Sequence, residues 1–226
     1  MPSKLVSPPS IEPVTLAEAK LHLRVESAMT DDDALITALI TSARMLGEQI
    51  TRRAFITQSW QTVLDTFPAP GQNVGSANWY GPQWGNSPGP LTTLRADGRT
   101  GFELFLDHAP LITVDSISYI DIDGVTQTLS SALYKVDSIT EPCRVVPAYG
   151  NTWPGTRNEI NAVTVNYTCG YGAAAASVPE PIKSWIKLRV GAMYENREEF
   201  ATGRSIVAIE MPFIDGLLQN YRVQTY

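Results

Sequence analysis

Three consecutive aspartates, Asp31, Asp32 and Asp33, carry the kind of side chain that binds divalent metals. Consecutive residues of a helix point in different directions, so these carboxylates do not converge on one ion. No His or Glu at ligand spacing accompanies them, and an apolar repeat with helical spacing follows at once. We predict that they cap the start of that helix and balance its dipole.

A second acidic group, Asp121-Ile122-Asp123-Gly124, resembles the start of a calcium-binding loop. It lacks the third carboxylate and the distal Glu that complete an EF-hand loop. Asp-Gly between two strand-like runs is also a signal for a two-residue hairpin, because both central positions favour positive φ. We predict a hairpin here. A metal enzyme that uses Asp107, Asp121 or Asp123 stays a rival interpretation.

Motifs for nucleophilic or nucleotide chemistry are missing from the sequence. Neither histidine, His22 or His108, stands beside a Ser or Cys in a nucleophile motif, and no G-x-S-x-G occurs. Gly170-Tyr171-Gly172 is not part of a phosphate-binding loop, so it predicts a bend between elements. We therefore expect a protein that is not an enzyme and has no cofactor and no bound metal.

The segment from Pro68 to Pro90 is rich in Pro, Gly and Asn and carries three aromatic residues, Trp79, Tyr80 and Trp84. Long loops are usually functional or disordered, and exposing two Trp side chains to water is costly. We predict that this loop docks on a partner. The alternative is that it belongs to a carbohydrate- or peptide-binding module built on the β-rich part of the chain, in which Trp153 could also stack on a ligand.

Composition narrows the class of protein further. The 226 residues are 43 % apolar and 18 % charged, which is typical of a globular chain. The net charge is −6 and the basic residues are scattered, so tight DNA binding is not expected. No apolar run is long enough to span a bilayer, and the first residues lack a secretory signal. Cys143 and Cys169 fit no metal spacing and are predicted to be buried thiols.

Helices are predicted at both ends of the chain. Thr15 and Glu18 form a capping-box pattern for a short helix that ends near Arg24, and a longer amphipathic helix follows the three aspartates. Arg44, Glu48 and Arg52 are expected to lie off its apolar stripe. After Pro181 another apolar helix is predicted, and Pro212 begins a last short one.

Between these helices the sequence is β-rich. The predicted strands are Thr57–Thr66, Phe102–Leu106, Ile112–Ile122, Val125–Leu129, Leu133–Val136, Cys143–Pro147 and Ala162–Thr168. Short strands with frequent turns predict a small antiparallel sandwich or barrel-like domain. The expected fold is α+β: residues 1–13 form an N-terminal arm, residues 14–55 and 177–226 form a helical bundle, and residues 56–176 form an inserted β domain.

Several stretches, taken in order, resemble the head–tail connector (adaptor) proteins of long-tailed bacteriophages. They are Pro13–Val25, Asp32–Ile40, Thr51–Phe55 with Gln58–Trp60, Ile117–Gly124, Trp153-Pro154, Ala162–Tyr167, Gly170–Gly172, Val178–Ile182 and Tyr194–Glu198. Together they cover the chain from about residue 13 to residue 222. The loop from Pro68 to Pro90 has no counterpart in this resemblance.

The resemblance implies a structural virion protein, made in the cytoplasm of a bacterial host. Such proteins form a homo-oligomeric ring, commonly of twelve subunits, beneath the portal protein. The next connector or a tail-terminator ring docks below, and the genome DNA passes through the channel without specific binding. The C-terminal segment is expected to contact the portal. It comprises Phe213, Leu217, Leu218, Tyr221, Arg222, Val223, Gln224, Thr225 and Tyr226. A further hypothesis is that Asp31, Asp32 and Asp33 border the channel lumen or a subunit contact.

Overall fold

The computed structural model describes residues 3–68, 101–196 and 216–223. The chain forms two compact units, and it enters each of them more than once. The helical unit comprises Leu5–Ser59, His108–Ile112 and Thr168–Tyr226. The β unit comprises Met1–Lys4, Trp60–Asp107 and Thr113–Tyr167.

The helical unit contains α1 (Leu16–Leu23), α2 (Asp33–Thr51) and α3 (Glu180–Glu195). The predicted capping box starts α1: the N–H of Glu18 donates to Thr15 Oγ1 over 3.2 Å, and the N–H of Thr15 donates to the Glu18 carboxylate over 2.7 Å. The Thr15 N–H and the Thr15 hydroxyl, which both donate to the Glu18 carboxylate, hold the pKa of Glu18 below its ordinary value. Local sequence therefore fixes where this helix begins.

All three helices contact one another and share one apolar core. Its buried residues are Val14, Ala19, Ile36, Ile40, Ala43, Phe55, Ile56, Val178, Ile182, Trp185, Ile186, Val190 and Leu218. A side chain at Gly47 would meet the Phe55 ring at 2.8 Å and the Trp185 ring at 3.0 Å, so glycine lets both aromatic rings lie against α2. Both terminal segments of the sequence thus supply this core, as their apolar spacing predicts.

All seven predicted strands are present, with their ends shifted by a few residues. The strands are β1 (Ser3–Ser7), β2 (Gln58–Leu64), β3 (Leu104–Phe105), β4 (Leu111–Ile120), β5 (Thr126–Thr128), β6 (Tyr134–Asp137), β7 (Arg144–Pro147) and β8 (Val163–Cys169). The order β1-β2-β8-β4-β5 makes one sheet and β3-β7-β6 the other. The additional strand, β1, lies in the segment that was expected to be only an arm.

The hairpin between β4 and β5 is confirmed, but its loop is longer than predicted. The pairing is antiparallel and begins at Ile120 opposite Thr126. Of the two residues expected at the centre of the turn, Gly124 has positive φ (84°) and Asp123 does not. The Asp121 carboxylate organises the loop, because it accepts the N–H groups of Asp123 (3.1 Å) and Val125 (2.8 Å). The calcium-loop pattern is therefore a turn.

Alternating burial along β8 supplies part of the core of the β unit, where Val163, Val165 and Tyr167 are fully buried. Phe67 stacks on Trp153 with ring centroids 4.8 Å apart, and the Trp153 indole donates to the carbonyl oxygen of Phe102 over 2.8 Å. Trp153 thus packs within the β unit through both its ring face and its indole N–H.

The predicted α+β class is confirmed, with antiparallel strand pairs and open sheets; among the described residues neither sheet closes into a barrel. The helices in the described ranges are too short or too polar to cross a membrane. Near the C-terminus, Gly216 is helical and Gln219–Tyr221 forms a 3-10 turn, while Pro212 and Phe213 lie outside the described residues.

Candidate functional site

The acidic run at the start of α2 is built into contacts with two other helices. Asp32 stands at the N-cap position, but its side chain makes no capping hydrogen bond. Instead the Tyr194 hydroxyl of α3 donates to the Asp32 carboxylate over 2.5 Å. Asp33 forms an ion pair with Lys20 of α1, and Asp31 is exposed. The predicted side-chain cap at Asp32 is therefore wrong, because a distant tyrosine uses its carboxylate.

Lys20 is buried, and its ammonium group links α1 to the start of α2. Its ammonium group donates to the carbonyl oxygen of Met29 over 2.6 Å and pairs with Asp33. A buried ammonium needs such partners, since an unpaired charge away from water is strongly unfavourable. Of the three aspartates, Asp31 alone is fully exposed.

A second buried cluster of charged side chains is centred on Arg44 of α2. Its guanidinium pairs with Glu48 at 2.7 Å and with Glu12 at 2.8 Å. Glu48 also accepts the N–H of Phe55 over 2.8 Å. Burial raises the pKa of Glu48, although Arg44 and the Phe55 N–H oppose the rise. Arg44 and Glu48 pair as predicted, and of the three charged residues expected beside the apolar stripe only Arg52 is exposed, whereas Arg44 is buried.

The C-terminal segment, proposed from sequence to dock on the portal, is anchored in the helical unit up to residue 223. Leu218 is fully buried, and Val223 is also buried while its N–H donates to the carbonyl oxygen of Thr51 over 3.0 Å. Arg53, itself buried, donates to the carbonyl oxygen of Tyr221 over 2.5 Å. The side chains of Leu218 and Val223 are therefore buried against other parts of this chain.

The other residues of that segment divide into two groups. Leu217 and Tyr221 are partly buried and pack against the helical core, whereas Arg222 is exposed. Phe213 and the last residues, Gln224, Thr225 and Tyr226, lie outside the described residues. Sequence reasoning did not foresee the anchoring, because its contacts join residues that are far apart in the chain.

The β unit has an open groove of about 650 Å³ along β6 and β7, lined by residues such as Phe102, Val136 and Tyr149. Two of its charged residues are paired: the Asp137 carboxylate accepts from Arg144 over 3.0 Å, and also from the Thr140 hydroxyl over 2.7 Å. The hydrogen bonds from Thr140 hold the pKa of Asp137 far below its ordinary value. These groups stabilise a turn and leave no converging reactive side chains in the groove.

The residues considered for catalysis are dispersed. Asp107 accepts a hydrogen bond from the Ser3 hydroxyl over 2.6 Å, and His22 is exposed on α1. Within the described ranges, no group of three or more His, Cys, Asp or Glu side chains is arranged to hold a metal ion. Cys143 and Cys169 are buried thiols that form no disulfide, as predicted. The predicted docking residues Trp79, Tyr80 and Trp84 lie outside the described residues.

No family model and no curated protein matches the sequence. Among solved structures, a chain from the neck of an empty gene transfer agent particle, computed with C6 symmetry, has a TM-score of 0.71 and 20% identity. A chain from the virion of the native particle has a TM-score of 0.69 and 20% identity. A chain from the neck of the native particle, computed with C12 symmetry, has a TM-score of 0.66 and 17% identity. Each match covers 100% of this chain and 97% of the other.

The similarity extends over the whole chain and concerns the fold. It confirms, at the level of the fold, the resemblance to particle-neck proteins found in the sequence stretches from Pro13 to Glu198. The similar chains are structural parts of particles, and two of them come from necks with cyclic symmetry.

Proposed function

We propose that this chain is a structural virion protein, a head–tail connector that joins the capsid vertex to the tail. The observation that carries the proposal is the fold shared with particle-neck chains across 100% of this chain at a TM-score of 0.71. The similar chains, which come from particle necks and a virion, support a role without catalysis. Its place in a mature particle would be the neck.

In this proposal the chain forms a homo-oligomeric ring, commonly of twelve subunits, beneath the portal protein. The C12 symmetry of one similar neck supports a ring. Below it, the next connector or a tail-terminator ring would dock. A net charge of −6 suits a channel through which DNA slides without being held, because like charges repel.

We assign the ring wall to the helical domain of residues 14–55 and 177–226, packed as a bundle, and treat residues 56–176 as an inserted, sandwich-like β domain. Contact with the portal is assigned to the C-terminal segment. Since Leu218 and Val223 are buried in the helical unit, they would hold this segment in place. Arg222 and the three residues Gln224–Tyr226 would then make the contact itself.

Electron microscopy of the purified chain, alone and mixed with its portal protein, tests the proposal. We expect ring-shaped particles in one or both samples, seated on the portal in the mixture. A chain that stays monomeric and unattached in both samples would contradict it. The carbohydrate- or peptide-binding alternative rests on Trp79 and Trp84, and none of the described contacts favours it.

A further inference from the structure

The solvent-exposed side of α2 carries no charge. Between Asp33 and Arg52 the only charged residues are Arg44 and Glu48, and the side chains of both are turned into the buried ion-pair cluster. Every exposed residue in this interval is uncharged. These residues are Ala34, Leu35, Thr37, Ala38, Ser42, Met45 and Gln49. Six of them, all but Thr37, form what we term the α2 strip.

This composition is unusual for a helix face that meets only water, where charged residues normally prevail. The same unit provides the contrast, because α3 exposes Glu180 and pairs it with Lys183 and Lys187. Large apolar side chains also stand in the α2 strip: Met45 is 58% exposed and Leu35 is 36% exposed. A surface without charges loses little when water is removed from it, as a protein interface requires.

The strip has the shape of a helix-packing surface. At 100° per residue its six members fall within an arc of about 100°, and from Ala34 to Gln49 it runs for about 22 Å. Ala34, Ala38 and Ser42 recur every four residues, so a row of small side chains lies between the larger Leu35 and Met45. Such a row forms a shallow groove into which the side chains of another element pack.

We propose that the α2 strip is a surface by which one copy of this chain packs on the next copy in the ring. The inference rests on the ring proposed above and adds the element that makes the subunit contact. A second copy is the occupant to which cyclic symmetry points, because every subunit of a ring presents the same surfaces to its neighbours. Portal and tail partners, in contrast, meet the ring at its two ends.

The area of the α2 strip can be compared with the area of a standard protein interface. A strip about 22 Å long and about 10 Å wide covers roughly 200 Å², against about 800 Å² per partner in a standard interface. It is therefore the uncharged centre of a larger contact. In a ring of more than two subunits the two sides of each contact differ, so the α2 strip meets another surface of the neighbour and not its α2 strip.

Charge substitution at Met45 tests the inference. Met45→Glu places a carboxylate at the more exposed of the two large apolar positions of the strip, whereas Met45→Gln has nearly the same shape without the charge. We expect Met45→Glu to weaken subunit association at least tenfold in sedimentation velocity and to abolish rings in electron micrographs. Met45→Gln should stay within about twofold of wild type. Both variants should unfold within about 2 °C of the wild type, since a substitution at an exposed position usually alters stability little.

The remaining outcomes separate this inference from the proposed ring. Rings of normal stability from Met45→Glu would overturn the α2 strip as the contact and leave the ring itself standing. A wild-type chain that remains monomeric with and without portal would overturn both. A Met45→Cys variant that rapidly forms disulfide-linked pairs would show two α2 strips facing each other, which also contradicts the inference.

Discussion

At residue 170 the backbone passes so close to the segment around Ile56 that no side chain fits there. A Cβ atom at Gly170 would lie 2.6 Å from the carbonyl carbon and oxygen of Ile56, and φ at this position is 134°. The Gly170 N–H also donates to the carbonyl oxygen of Pro110 over 2.9 Å. Glycine is therefore required both by backbone conformation and by space.

Replacing Gly170 with alanine should destabilise the protein by at least about 3 kcal/mol, because strain in φ and a clash with backbone add together. Gly150 offers a matched control: its φ is 79°, but nothing lies within 4 Å of a Cβ built there. Gly150→Ala should cost only about 1–2 kcal/mol. Urea unfolding of both variants measures the difference. Equal losses of unfolding free energy in the two variants would show that the close approach to Ile56 does not contribute to the destabilisation.

Arg44 shows how one buried residue can hold α2 to the rest of the helical unit. Replacing it with methionine leaves the carboxylates of Glu48 and Glu12 without their shared cation. Removing one partner of a buried ion pair typically costs about 3–5 kcal/mol, so Arg44→Met should lower the free energy of unfolding by that amount near neutral pH. Lys187→Met, which breaks an exposed pair with Glu180, should cost less than about 1 kcal/mol.

The loss caused by Arg44→Met should depend on pH. Burial already raises the pKa of Glu48, and the loss of Arg44 raises it further. A carboxyl group with a higher pKa in the folded chain makes the fold less stable as pH rises from its unfolded pKa towards its folded pKa. Arg44→Met should therefore cost less at about pH 5 than at about pH 7.5. Unfolding curves at both values measure this, and a loss independent of pH would contradict it.

Elements defined by local rules were predictable from sequence. The capping box at Thr15 and Glu18, the apolar spacing of α2 and the alternation along β8 all involve residues a few positions apart. Contacts between residues that are far apart in the chain were not predictable. The i,i+4 spacing of Arg44 and Glu48 predicted their pairing, but burial depends on Glu12, which is 32 residues from Arg44. β1 was missed because a short strand depends on remote pairing partners.

The candidate interaction surfaces also divide into those that local sequence indicates and those that depend on tertiary contacts. The acidic run, the aromatic loop and the C-terminal segment were found from composition. The uncharged α2 strip became visible only once Arg44 and Glu48 were known to be buried. Which side of a helix faces water is a tertiary property, so helical spacing alone does not reveal that Arg44 is buried.

For the whole molecule, assembly requires a stable subunit that keeps some of its surface for partners. The C-terminal segment does both in successive residues. Leu218 and Val223 are buried in the helical unit, and Arg53 holds the backbone at Tyr221. The residues after Val223 lie outside the described residues, and the proposed function assigns them to the portal. Stability and partner binding should therefore respond to different substitutions.

A variant that ends at Val223 and so lacks Gln224–Tyr226 should keep the unfolding temperature of the wild type within about 2 °C, because the buried anchors remain. It should bind the portal protein at least tenfold more weakly. Leu218→Ala is the matched counterpart: it leaves a core cavity and should cost about 2–5 kcal/mol. Calorimetry and portal pull-down on the same samples separate the two effects. Portal affinity that survives the truncation would move the contact away from the last three residues.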